Sequence, residues 1–287
     1  MMQVEIYDDR ACALGEGPLW HPERRQLFWF DIVGRKLLSR AGDERLEWEW
    51  EEMVSAAGWV DRDTLLVAGR TALWRFDIPT GARERVVGLE EDDEGTRAND
   101  GRADPVGGFW IGTMALDGSP GRGAIYRFFR GELRKLWQDV GVPNSICFSP
   151  DGKTAYFSDT EQGAIWRQPL DQAGWPSGKA ELFVDFGPVG LAPDGAVCDA
   201  EGNVWVAQWG AWRVACHGPD GRFLRSLSCG AAHTTCPAFG GDDLRQMFVT
   251  SATEGLRDGA LDYQPGGGMT WCATMPVAGL PERRVVL

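Results

Sequence analysis

His21-Pro22-Glu23-Arg24-Arg25-Gln26-Leu27-Phe28-Trp29-Phe30-Asp31 reads as a polar turn followed at once by a short strand of large apolar side chains. The apolar run is too short for a helix, and turn residues bound it, which favours a buried strand. The same unit returns five times. Residues 61–63 precede the strand 64–68, 104–107 precede 108–113, and 149–152 precede 153–159. Residues 199–202 then precede 203–207, and 240–243 precede 246–251. The centres Trp29, Leu66, Trp110, Tyr156, Trp205 and Phe248 lie about 37, 44, 46, 49 and 43 residues apart. A turn and an apolar strand repeating every 40 to 50 residues is the period of a β-propeller blade. Six blades of about 48 residues use up the 287-residue chain, so the sequence predicts an all-β, six-bladed β-propeller as a single domain, 1–287.

Flanking segments agree. Ala72-Leu73-Trp74-Arg75-Phe76-Asp77, Gly123-Ala124-Ile125-Tyr126-Arg127-Phe128, Gly163-Ala164-Ile165-Trp166-Arg167 and Ala211-Trp212-Arg213-Val214 alternate apolar and polar residues, as half-buried strands do. Outer strands are expected after turns such as Pro79-Thr80-Gly81 and Pro219-Asp220-Gly221. No stretch carries a 3.6-residue stripe, so helices should be rare. Propellers usually close by pairing the N-terminal strand with the last blade. Val4-Glu5-Ile6-Tyr7 alternates correctly for that, with Gly268-Met269-Thr270-Trp271 as its expected neighbour.

Composition bounds the function. The formal net charge of −13 opposes phosphate backbones, so a nucleic-acid partner is not expected. No apolar run approaches the roughly 20 residues that cross a bilayer, and no membrane role is expected. Residues 1–10 do not read as a secretory signal, and seven cysteines without a C-x-x-C pair suit reduced thiols. A cytoplasmic protein, monomeric or weakly homo-oligomeric, is the expectation. The acidic run 90–94 reads as a solvated loop, and His21, His217 and His233 show no metal-ligand spacing.

Four polar points precede their strand centres by about 11 to 13 residues: Glu16 in Gly15-Glu16-Gly17-Pro18, Asn99 in Arg97-Ala98-Asn99-Asp100-Gly101, Asn144 in Val142-Pro143-Asn144-Ser145, and Asp194 in Pro193-Asp194-Gly195. Taken alone, Gly-Glu-Gly-Pro and Pro-Asp-Gly are ordinary turn sequences. In a repeat protein, however, equal phase means equal position in space, so these side chains should gather at one mouth of the channel. Buried carboxylates repel unless something positive lies between them, and one divalent cation is the simplest counter-ion. Glu16, Asn144 and Asp194 are the proposed ligands. All-oxygen donors favour Ca²⁺, Mg²⁺ or Mn²⁺ and also accommodate Fe²⁺ and Zn²⁺. Three protein ligands leave open positions, as catalytic metals require.

These motifs, with Ser149-Pro150-Asp151-Gly152-Lys153 and Cys236-Pro237-Ala238-Phe239-Gly240-Gly241, resemble in order and spacing the signatures of the SMP-30/gluconolactonase/luciferin-regenerating-enzyme family. The resemblance covers roughly residues 10–275 and implies a six-bladed propeller acting as a metal-dependent lactonase on a sugar lactone. It implies Glu16, Asn144 and Asp194 as metal ligands and Asp194 also as general base. It implies Arg97 and Asn99 as substrate-binding residues, and Asp117, in the loop after Gly112-Thr113-Met114, as a further one. Ser145 departs from the family, which often has Gly there. Trp209 is a candidate platform for a sugar face, with His233 as a candidate substrate contact. Hydrolysis of a phosphotriester or aromatic ester on the same scaffold, or a non-catalytic propeller binding calcium or a protein, are the competing readings.

Overall fold

A computed structural model describes residues 3–287. Six four-stranded antiparallel sheets stand in a ring, each blade packing on the next and the sixth on the first. Blade one runs Gly15–His21, Gln26–Asp31, Lys36–Ala41 and Glu44–Glu49 from axis to rim. Blade two has Val54–Asp61, Thr64–Gly69, Ala72–Asp77 and Arg83–Gly88; blade three has Thr96–Ala103, Phe109–Ala115, Gly123–Phe129 and Glu132–Val140. Blade four has Pro143–Phe148, Thr154–Asp159, Ala164–Pro169 and Glu181–Asp185; blade five has Ala192–Cys198, Val204–Trp209, Arg213–His217 and Phe223–Ser228. Blade six supplies Thr234–Gly240, Gln246–Ser251 and Thr270–Thr274, and Val4–Asp8 completes it from the N-terminal end. Among the described residues the only helical segments are two single 3₁₀ turns, Gly187–Val189 and Ala260–Asp262.

All six aromatic runs read from the sequence are second strands, and nearly every side chain in them is buried. Trp29, Trp110 and Trp205, from blades one, three and five, are fully buried. Burying a large side chain of this kind is worth about 1.5–3 kcal/mol, and a ring of them between twisted sheets holds neighbouring blades together. Closure follows the expected route: Val4 pairs with Ala273, Glu5 with Cys272 and Ile6 with Trp271, antiparallel. Two strand edges shift. The third strand of blade five begins at Arg213, because Trp212 lies in a tight turn at φ 61°. The closing neighbour begins at Thr270, because Gly268 turns at φ 79° against the Cys12 carbonyl. All seven cysteines are free.

Past its last strand the chain crosses the end of the ring away from the polar motifs. Gly279 N–H donates to the Leu244 carbonyl (2.8 Å), Trp59 Nε1–H to the Glu282 carbonyl (2.9 Å) and Val286 N–H to the Gly107 carbonyl (2.8 Å). Val285 is buried against blades two and three, and Glu282 pairs with Arg102 of the blade-three inner strand. The tail thereby covers the far end of the channel.

Candidate active site

The polar points belong to the innermost strands themselves. Each of the six inner strands slips register against its second strand at the same place. Pairing breaks between Glu16 and Leu19, Val54 and Ala56, Ala98 and Gly101, Asn144 and Cys147, Pro193 and Ala196, and Thr234 and Pro237. A bulge cancels the strict alternation of a strand, so residues on both sides of it can face one way. The four motif residues therefore occupy two adjacent phases and not one. Glu16 and Asn144 are the last paired residues before their bulges, while Asn99 and Asp194 are the first residues within theirs. The bulge brings both sets to the channel.

Backbone conformation explains the residue after each of the first two. Gly17 sits at φ 55° and Ser145, in the equivalent place, at φ 58°. This left-handed region costs a side chain energy and suits glycine. At Gly17 a Cβ would also come within 2.3 Å of the Ser55 carbonyl. At Ser145 the hydroxyl offsets the strain. It donates to the Asp194 carbonyl and accepts from Ser158 Oγ at 3.0 Å, so the residue that departs from the family pattern ties the inner strands of blades four and five together.

Glu16, Asn144 and Asp194 are all buried, and the Glu16 and Asp194 carboxylates lie within hydrogen-bonding reach of each other. Asn99 Nδ2 donates to Asn144 Oδ1 and to the Pro143 carbonyl, both at 3.0 Å. Arg97 Nη1 donates to Asn99 Oδ1 at 2.8 Å. Asn144 Nδ2 donates to Thr160 Oγ1 (2.9 Å), which donates in turn to the Pro193 carbonyl (2.7 Å). This chain fixes the Asn144 amide with its nitrogen occupied and its oxygen turned toward Asn99, one lone pair still free.

Electrostatics follow from burial. Burial first, then the charge of Asp100, pushes Glu16 up to about 8. Asp194 is raised well above the usual carboxylate range by burial, then by Glu16 and Asp100. Asp100, in the bulge of blade three, is pushed up to about 6 by burial although it accepts the Ile146 N–H at 2.7 Å. Burial lowers the Arg97 pKa, and Glu254, Glu16 and Asp194 act against that. Glu16 and Asp194 thus meet beside Arg97, while Arg102 offsets part of the Asp100 charge, an arrangement short of positive charge. Among the described residues no three acidic, histidine or cysteine side chains converge as a metal cluster. The donor set here is two carboxylates and an amide oxygen, which suits a hard cation with open coordination positions.

Asp117 lies on the exposed turn after the second strand of blade three, at the same end of the ring, with its carboxylate accepting the Ser119 N–H at 2.9 Å. Trp209 ends the second strand of blade five opposite Ala192, and His233 covers one of its faces, with ring centroids 4.1 Å apart at 16°. His21 is buried and meets the Asp61 carbonyl, outside the site. Asp100, Thr160 and Glu254 were not among the expected site residues. Asp100 stood inside the Arg97–Gly101 motif and could have been taken with Asn99. For Thr160 and Glu254 the sequence carries no comparable mark.

A profile for the family described as SMP-30/Gluconolactonase/LRE-like region matches residues 14–253. The chain belongs to this family. A putative sugar lactone lactonase of Rhizobium meliloti (strain 1021) is 36% identical over 94% of this chain and 93% of its own. The L-arabinolactonase of Azospirillum brasilense is 34% identical over 98% and 95%. The crystal structure of a calcium-binding protein, regucalcin, from Agrobacterium tumefaciens strain C58 superposes with a TM-score of 0.97 at 38% identity, covering 100% of this chain and 98% of that one. As a member of the SMP-30/gluconolactonase family, the chain has its six-bladed architecture in common with a solved relative along its whole length.

Proposed function

We propose that this protein hydrolyses a sugar lactone to the aldonic acid with one divalent cation held by Glu16, Asn144 and Asp194. The observation that carries the reading is the buried contact between the Glu16 and Asp194 carboxylates beside the fixed oxygen of Asn144. Two acids pressed together in a dry site are costly unless a cation joins them. Relatives named as lactonases, alike over most of their length, supply the reaction class. A bound divalent ion would act there as a Lewis acid toward the lactone carbonyl and would keep both acids ionised.

The chain's own groups do the remainder. Asp194, held by the blade-five bulge, takes the proton from the attacking water as general base. Arg97 and Asn99, locked to each other, orient the sugar hydroxyls so that the carbonyl meets the water in one geometry. Asp117 stands at the same mouth as a further substrate contact. The polar lining offers little to an apolar aromatic ester.

Proton release from a panel of aldonolactones, with and without a chelator, tests this. Release that stops on chelation and returns with added divalent ion supports it. Release unaffected by chelation removes the cation, and absence of release across the panel removes the lactonase. Tight calcium binding without turnover would leave a calcium-binding propeller.

A further inference from the structure

The bulge register places His233 in a position the family motifs do not mark. In blade three, Arg97 pairs with Met114 one residue before the last pair preceding the bulge. In blade six the corresponding residue is His233: Thr234 with Ser251 is the last pair, and Ala252 N–H donates to the His233 carbonyl at 2.9 Å. Blades three and six stand opposite each other in the ring. Arg97 and His233 therefore occupy equivalent places on facing sides of one mouth. Glu254 links the two sides, since its carbonyl meets His233 and its charge reaches Arg97.

The His233 ring is held in a defined state. Its Nδ1 lies 2.8 Å from the Glu254 carbonyl oxygen, and a carbonyl only accepts, so Nδ1 carries the proton. Nε2 is then a bare acceptor, and it makes no hydrogen bond among the described residues. Burial lowers the His233 pKa, which keeps the ring neutral at pH 7. Trp209 fixes the plane of the imidazole by stacking at 4.1 Å. Trp209 also packs against the apolar cluster of blades one and two, to which Leu14 and Ala252 belong. The indole thus supports the His233 ring on one face.

We propose that His233 is a specificity-determining residue of this site, its Nε2 accepting a hydrogen bond from one ring hydroxyl of the lactone while Arg97 donates from the opposite blade. The inference rests on the lactonase reading. An acceptor facing donors across a mouth selects polyhydroxylated rings with a hydroxyl at one stereochemical position, where a purely cationic mouth would not.

The test compares His233→Phe, which keeps the stack and removes the acceptor, with His233→Gln, whose Oε1 can stand in for Nε2. Each is assayed on the best aldonolactone and on its monodeoxy analogues. For His233→Phe, KM on the full lactone should rise roughly two- to tenfold, the span of one net hydrogen bond, with kcat little changed. One monodeoxy analogue should be poorer than the parent for the wild type and equally good for His233→Phe. His233→Gln should recover part of the discrimination, and it carries the test if His233→Phe fails to fold. A wild type that turns over lactones while every monodeoxy penalty is the same in the variants overturns this inference alone. A wild type without turnover overturns it together with the lactonase reading.

Discussion

The two ends of the channel treat charge in opposite ways. At the far end the buried Arg102 and Arg127 each have an acidic partner. Arg102 meets Glu282 of the tail, and Arg127 Nε meets Asp104 at 2.6 Å with both side chains fully buried. At the mouth Glu16 and Asp194 have Arg97 beside them and Asp100 has Arg102, and burial raises the pKa of all three acids. Both ends are built from the same inner strands, a few residues apart. Asp100 and Arg102 belong to one strand, Thr96–Ala103. The difference separates two uses of charge: the far end pairs its buried ions for stability, while the mouth leaves two acids under-compensated at the place of the proposed cation.

The largest effect that could break this contrast is at Asp194. Asp194→Ala should lower lactone turnover by at least the 10²- to 10⁴-fold typical of a general base, while circular dichroism and the melting temperature stay close to wild type. The fold is spared because the substitution relieves a like-charge contact. A variant that keeps more than about a tenth of the wild-type rate would remove Asp194 from this role. At the far end the expectation inverts. Glu282→Ala leaves Arg102 buried without a partner and should cost about 3–5 kcal/mol in denaturant unfolding, with the kcat of the folded enzyme nearly unchanged. Equal losses of activity in the two variants would erase the distinction between the ends.

Chelation sharpens the comparison at smaller magnitude. Removing a cation present at a hundred times its Kd should lower stability by about 2.7 kcal/mol, and the loss should be absent from Asp194→Ala. The chelated protein should also acquire a pH dependence of its own. Burial pushes Glu16 up to about 8 in the metal-free fold, against 4.5 ordinarily, so the native state should hold the proton that the unfolded chain has released. Stability of the metal-free protein should therefore fall as pH rises from about 4.5 to about 8, and cation should flatten the slope. Melting curves at a series of pH values, with and without chelator, check both statements.

The second strands were legible because each is a compact apolar run after a turn, as in residues 26–31, and burial on both faces demands that composition. The inner strands read as polar loops for an equally physical reason. Thr96–Ala103 holds Arg97, Asn99 and Asp100 within eight residues, and a bulge interrupts its alternation. Motif phase still located Glu16, Asn99, Asn144 and Asp194 at one mouth, but it treated two adjacent phases as one. The tail was not legible. Residues 275–287 form no regular strand, and their contacts with Trp59, Gly107 and Leu244 join segments up to 223 positions away. Glu254 was hidden likewise, since it reaches the mouth from a long excursion between the second and third strands of blade six.

The smallest expected effect tests whether the mouth itself is strained or supported. Ser145 holds a left-handed conformation, φ 58°, that glycine adopts freely, so Ser145→Gly releases backbone strain of about 1 kcal/mol. It also removes the hydroxyl that donates to the Asp194 carbonyl and accepts from Ser158, a loss of similar size for each buried group left without a partner. The gain offsets the loss only in part, and the melting temperature should fall by no more than a few degrees. Their effects on the site do not cancel, because only the hydrogen bond spans blades four and five, which carry Asn144 and Asp194. Ser145→Gly should therefore weaken divalent-ion affinity more than it changes stability, which calorimetric titration of the chelated protein would register. A glycine variant that binds the ion as tightly as wild type would mean that the bulges alone set the spacing of the ligands.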